Sequence, residues 1–272
     1  MINRECYVFR IDALNGRQFG FTSLDIPLTI DGLLYEPIGG AESTATTQVT
    51  GLEIDNVRLE LLLEDDLKLT PRYVYSGALT NARVKVGLVD FTALPDNLDG
   101  DAVIFEGSIA TADVDDLSIN LEVLNTTQKL NKSYEVAINS TCRFEFGGER
   151  CKYNLGLSEY THNVNVTAVT KIPSGYNLAL GNTPLLSNHI GGTLTFLSGG
   201  NQNLKYRIAD ISQSTLAITD EVAEDIQVGD LVKIEPGCNK DEGSCRFYDN
   251  YENYGGGRQG GNHFRSISSI RI

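Results

Sequence analysis

The chain has 272 residues, enough for one large or two ordinary domains, and its formal charge of −14 disfavours a general binder of nucleic acid or anionic membrane. Its 27 glycines, lack of tryptophan and short Thr, Val, Ile and Leu runs broken by Gly, Asn and Asp make the composition β-rich. Arg4 and Glu5 stand where a secretory signal needs an apolar run, and no stretch is long enough to span a membrane, so the expectation is a soluble, cytoplasmically made protein without a membrane anchor.

In chain order, Cys6 to Ile11 alternates as a strand, Asn15-Gly16 is a tight turn and Gln18 to Thr22 returns. Asp31-Gly32 marks a second hairpin between I-P-L-T-I and G-L-L-Y-E-P, and the polar run from Ala41 is a loop or an exposed edge. Val57 to Leu63 enters a core as a strand and stops at Glu64, Asp65 and Asp66. A short helix is expected over Leu67 to Ser76, with Pro71 in its first turn and Gly77 as C-cap. Ala82 to Asp90, V-I-F-E-G-S-I-A-T-A-D-V and L-S-I-N-L-E-V-L supply three more strands. Residues 1–133 therefore form one β-rich domain, and 134–163 form a loop carrying a first cysteine pair. Residues 164–237 hold short strands at regular spacing, the pattern of a small β-barrel or sandwich. Residues 238–272 hold a second cysteine pair and a tail of aromatics and glycines, which is expected to order against a neighbouring subunit.

Four of the five cysteines fall into two short-spaced pairs, Cys142 with Cys151 and Cys238 with Cys245, at the two ends of the smaller domain. Cys6 stands alone and reads as a small buried side chain. Four thiolates meeting at one point would suit structural zinc, an iron–sulfur cluster or copper(I), whereas hard cations prefer oxygen. Spacing alone leaves zinc, two disulfides, an iron–sulfur cluster and unrelated core cysteines open, in that order; a reducing cytoplasm weighs against the disulfides. Such a site would tie the entry and exit of the smaller domain together against the loop-closure entropy of roughly seventy residues.

Little else points to chemistry. There is no nucleophile elbow, zinc-protease helix, P-loop or dinucleotide fingerprint, and an enzyme is not expected. His162, His189 and His263 read as turn residues, with His162 the one placed to approach the cysteines. The acidic groups Glu64-Asp65-Asp66, Asp113 with Asp115-Asp116, and Glu221 with Glu224-Asp225 lack a calcium-loop pattern and read as solvated turns.

The opening C-Y-V-F-R-I-D, the following G-F-T-S-L-D-I-P-L-T-I-D-G-L-L-Y-E-P and the segment S-T-C-R-F-E-F-G-G-E-R-C resemble the tail-tip hub proteins of long flexible-tailed bacteriophages and gene transfer agents. The closing segment is the most specific: Cys238, Lys240, Cys245, Arg246, Phe247 and Asn250, then Asn253-Tyr254-Gly255-Gly256, fall on that family's pattern. The chain departs from it after Gly256, where the family continues into a Pro-containing ending.

The resemblance implies a mainly β structural virion protein: an N-terminal β-rich hub domain and a smaller β-barrel or sandwich, tied together by a four-cysteine site. By the same resemblance, which extends to the minor tail protein at the tip of lambda-like siphovirus tails, Cys142, Cys151, Cys238 and Cys245 hold a [4Fe–4S] cluster, with zinc as the rival metal. It further implies a ring at the virion tail tip, a homotrimer assembled in the host cytoplasm. The ring joins the tail tube or distal tail protein to the central fibre or tip protein, and DNA passes through its bore without specific binding. The alternative is a carbohydrate- or cell-wall-binding module with zinc or disulfides.

Overall fold

In the computed structural model the described residues are 4–37, 56–63, 68–125, 141–157, 159–181, 185–212 and 215–256. The Glu64-Asp65-Asp66 cluster, the polar run from Ala41, His263 and the tail beyond Gly256 lie outside them.

The first half is an eight-stranded sheet built from β1 (Glu5–Asp12), β2 (Gln18–Thr22), β3 (Leu28–Ile30), β4 (Leu33–Pro37), β5 (Asn56–Leu62), β6 (Arg83–Asp90), β7 (Val103–Val114) and β8 (Ser118–Asn125). Its order is β3-β4-β2-β1-β6-β7-β8-β5. The expected turns close it as read: Gly16 takes φ 82° between β1 and β2, and Asp31 and Gly32 take φ 53° and 71° between β3 and β4. One pairing lay beyond reach of the pattern, the parallel contact of β2 with β4. Gly20 makes it possible, since a Cβ there would stand 2.8 Å from the Leu34 carbonyl oxygen. Helix α1 (Pro71–Tyr75) is shorter than the expected Leu67–Ser76: it begins only at the proline, whose fixed φ suits the first helical position, and ends in Ser76 and a left-handed Gly77.

The second half is a closed six-stranded barrel, in the order β10-β13-β12-β11-β14-β9. Its strands are β9 (His162–Ile172), β10 (Gly175–Leu180), β11 (Thr193–Phe196), β12 (Lys205–Ser212), β13 (Thr215–Ile218) and β14 (Leu231–Glu235). Alternation puts Leu178, Leu194, Phe196, Ile208, Leu216, Ile218, Val232 and Ile234 inside, each fully buried. Closure joins the first strand to the last: Val164 faces Val232 and His162 faces Ile234. The two cysteine-bearing segments thus leave the barrel from neighbouring strand ends.

The sequence reading assigned the tie between the two halves to the cysteines. Among the described residues the contacts lie elsewhere, and the buried apolar residues of sheet and barrel form one connected cluster. Tyr73 of α1 packs edge-on against Phe19, its ring centroid 4.9 Å away, and its hydroxyl donates to Glu224. Burial and the Glu224 carboxylate push that phenol up to about 12. Arg72 donates from Nε to the Val222 carbonyl at 3.1 Å, and its Nη2 stands 2.9 Å from Asp225 Oδ1 as an ion pair without hydrogen-bond alignment. Asn15 donates to the Gly200 carbonyl at 2.8 Å, and Arg17 lies 3.6 Å from Glu224. Glu221, Glu224 and Asp225, expected as a solvated turn, are therefore one side of the joint. Nothing local in the sequence marks them, because Arg72 and Tyr73 lie about 150 residues upstream and Arg17 farther still.

Candidate metal centre

Beyond β14, Pro236 and Gly237 turn the chain against the barrel. The Gly237 N–H donates to the Asn188 carbonyl at 2.8 Å, and a Cβ on Gly237 would stand 2.6 Å from the Ile190 oxygen. Only glycine permits that approach. A helix, α2 (Glu242–Phe247), follows and places Cys245 in its buried face. Asp241 caps it, accepting from the Ser244 N–H at 2.6 Å.

Cys142, Cys151, Cys238 and Cys245 line one pocket together with Phe144, Phe146, Lys240, Tyr248 and Asn250. Cys151 and Cys245 are buried, Cys142 and Cys238 partly exposed, and none of the five cysteines is in a disulfide. Cys6 sits apart, 2% exposed within β1, as a core residue. Three of the four pocket sulfurs accept hydrogen bonds from nitrogen. The Lys240 N–H donates to Cys238 Sγ at 3.4 Å, the Gly255 N–H to Cys142 Sγ at 3.3 Å, and Asn250 Nδ2 to Cys151 Sγ at 3.3 Å. Such donors stabilise thiolates.

Among the described residues, no three His, Cys, Asp or Glu side chains form a group able to hold a metal ion. Burial, then the charges of Cys238, Cys142 and Cys151, push the Cys245 thiol up to about 11. Burial likewise raises Cys238, which the Lys240 N–H partly offsets.

Residues around the second cysteine pair hold the loops in register, and the sequence reading gave them no role beyond membership of a motif. Lys240, in the left-handed region at φ 65°, joins both segments. Its carbonyl accepts from the Cys142 N–H at 2.6 Å and its Nζ donates to the Phe144 carbonyl at 2.6 Å. Asn250 donates to the Cys151 carbonyl at 2.7 Å and accepts from Asn253 Nδ2 at 2.7 Å. At Gly255 a Cβ would meet the Phe144 ring at 2.6 Å. These contacts span about a hundred residues of chain, so only the recurrence of the string could have flagged them.

Of the closing aromatics, read as ordering against a neighbour, Tyr248 packs within the chain, whereas Phe247 stays 62% exposed. Tyr248 is 9% exposed, donates to the Gly237 carbonyl at 2.8 Å and meets Phe146 and Tyr153, each with centroids 4.9 Å away. Phe146 stacks on Tyr153 at 5.0 Å. This apolar wall keeps water from the sulfurs on one side. On the other, Cys238 and Lys240 also line a wider cleft with Lys205 and Lys233.

His162 does not reach the cysteines. It faces His189 at 5.9 Å between centroids, and its buried Nε2 has no hydrogen-bond partner. His189 is fully buried; its Nδ1 accepts from the Leu186 N–H at 3.1 Å and its Nε2 donates to the Tyr160 carbonyl at 2.7 Å. Burial first, then His189, lowers the His162 pKa from 6.5. The folded chain therefore binds fewer protons than the unfolded one just below pH 6.5, and stability falls as pH drops through 6.5. Thermal melts between pH 7.5 and 5 should show this loss, and His162→Gln should flatten it. The exposed carboxylates Asp90 and Asp99, held below their ordinary 3.8, act only in a lower window.

With the fold and the pocket in place, comparison with known proteins is informative. Residues 4–154 match the family model described as baseplate hub protein, N-terminal attachment domain, which covers more than half of the chain. The chain belongs to the baseplate hub protein family. Residues 188–259 of this hub chain match a second model, phage conserved hypothetical protein BR0599, which takes in Cys238 and Cys245. Among solved structures, a chain of the "Virion of native gene transfer agent (GTA) particle" superposes with a TM-score of 0.68. The two share 24% sequence identity over 96% of this chain and 94% of that one, which establishes a common fold. No match was found among curated protein sequences.

Proposed function

We propose that this hub chain is a structural component of a phage or gene-transfer-agent tail tip. Three copies form a ring that joins the tail tube or distal tail protein to the central fibre or tip protein, with DNA passing through the bore. Membership of the hub family and the end-to-end fold shared with a gene transfer agent virion chain support this reading. The formal charge of −14 suits a wall along which DNA slides without sticking.

The same proposal places a [4Fe–4S] cluster on Cys142, Cys151, Cys238 and Cys245. The observation that carries it is the convergence of four free thiols on one pocket, three of them receiving N–H donors. When bound, the cluster supplies positive charge and four strong bonds that lock two distant segments together. The chain does the rest: Lys240 and Asn250 set the loops, and Phe146, Tyr153 and Tyr248 exclude water.

Iron, zinc and acid-labile sulfide analysis of anaerobically purified protein tests the site, with about four irons and four sulfides per chain expected. One zinc without iron would replace the cluster with a mononuclear centre. Metal-free protein would remove the site from the proposal.

A further inference from the structure

The four-thiol pocket adjoins a wider cleft, of about 420 Å³, against the outer face of the barrel. Phe146, Cys238 and Lys240 line both, so Cys238 is the one pocket cysteine at the boundary. Cys142 is also partly exposed but lines no part of the cleft.

The charge of this cleft runs against that of the chain. Strand register sets Lys205 of β12 and Lys233 of β14 on either side of Thr195 in β11, and alternation turns both outward, since Tyr206, Val232 and Ile234 beside them are buried. Two ammonium groups therefore share one wall. Lys240 supplies a third, its Nζ held by the Phe144 carbonyl at 2.6 Å. Of the two carboxylates lining the cleft, Glu235 is paired with Lys233 at 2.8 Å and Glu145 is exposed. Among the described residues Lys205 and Lys240 have no carboxylate partner.

A simple phosphate or carboxylate would use the lysines and leave Cys238 at the edge without a role. An anion that also accepts a thiolate uses both, and iron–sulfur clusters ligated by small thiolates are such anions. We infer that the cleft is the port through which the centre is loaded: Lys205, Lys233 and Lys240 draw in an anionic iron–sulfur thiolate complex, and Cys238 is the first cysteine to bind it. The inference rests on the cluster reading and adds the route and form of delivery. Ligands exchange one for one. Each cysteine thiol passes its proton to the small thiolate it displaces, which leaves as a free thiol, and no electron moves.

The test mixes reduced, metal-free full chain, without oxygen, with the [4Fe–4S] dianion ligated by 2-mercaptoethanol. Visible circular dichroism follows loading, because the free complex is achiral and silent. The wild-type chain should load, and more slowly as salt rises. Lys205→Glu with Lys233→Glu should slow loading about tenfold or more while reaching the same final signal, and the paired Lys→Arg changes should keep the rate within about twofold. Lys68→Glu with Lys171→Glu makes the same change of net charge at two exposed lysines elsewhere and should leave the rate within about twofold. Lys205→Glu alone, at an exposed side chain without a carboxylate partner, guards against misfolding and should slow loading about threefold. Early in loading, mass spectrometry should find Cys238 protected from iodoacetamide before the other three. Equal rates in the charge-reversed and control variants overturn the port while leaving the cluster in place, and earlier protection of Cys142 overturns the route. No signal from the wild-type chain overturns the cluster reading itself, and the port with it.

Discussion

Cys245→Ala protein, purified without oxygen, is expected to retain iron and sulfide only at background, while Cys6→Ala retains both in full. The contrast follows from placement: both side chains are buried, but Cys6 sits in the sheet core and Cys245 lines the four-thiol pocket. Losing one ligand should release the whole group, because the remaining three thiols gain no replacement donor among their neighbours. Structural consequences should stay local. Segments 141–157 and 236–256 are held partly by the Lys240 and Asn250 bonds, so hydrogen exchange there should rise without reaching that of an unfolded chain. The barrel interior has its own closed ladder of strands and should keep its protection. Full iron in Cys245→Ala, or loss of iron in Cys6→Ala, would sink the ligand assignment.

Much of the fold was open to reading because its signals are local. Most of the barrel strands alternate over a few residues and break at Gly, Asn or Pro, and β1 and β2 are joined by an Asn-Gly turn whose geometry fixes register. Features set by distant partners were not legible. α2 escaped notice because Gly243 and Ser244 are poor helix formers in six residues; its Asp241 cap and the packing of Cys245 decide the matter instead. The candidate site divides in the same way. The cysteines declare themselves by type and spacing. By contrast, the carbonyl of Lys240 and the amide of Asn250 matter only because folding brings them to Cys142 and Cys151. Arg72 and Glu221 meet at 3.4 Å across 149 positions, a pairing that no pattern in one sequence could propose.

Tyr73→Ala should have the larger effect on the whole molecule, splitting one cooperative thermal transition into two. The wild-type side chain is 3% exposed, packs on Phe19 and donates to Glu224 across the joint. Truncating such a ring costs about 3–5 kcal/mol. Tyr73→Phe, which keeps the packing, should cost about 1 kcal/mol for the lost hydrogen bond. Arg72→Ala should fall between these limits, since its guanidinium serves the Val222 carbonyl, Glu221 and Asp225 but Asp225 is largely exposed. Differential scanning calorimetry separates the cases: Tyr73→Ala shows sheet and barrel melting apart, and Tyr73→Phe melts as one unit at a slightly lower temperature. The experiment also decides between two views of how the molecule is held. If the cysteine centre ties sheet to barrel, metal-free protein splits its transition and Tyr73→Ala does not. If α1 contributes most to the joint, as its contacts with Val222, Glu224 and Asp225 suggest, the reverse holds, and the cysteine centre is left to shape the end of the barrel that carries Lys240, α2 and the closing aromatics.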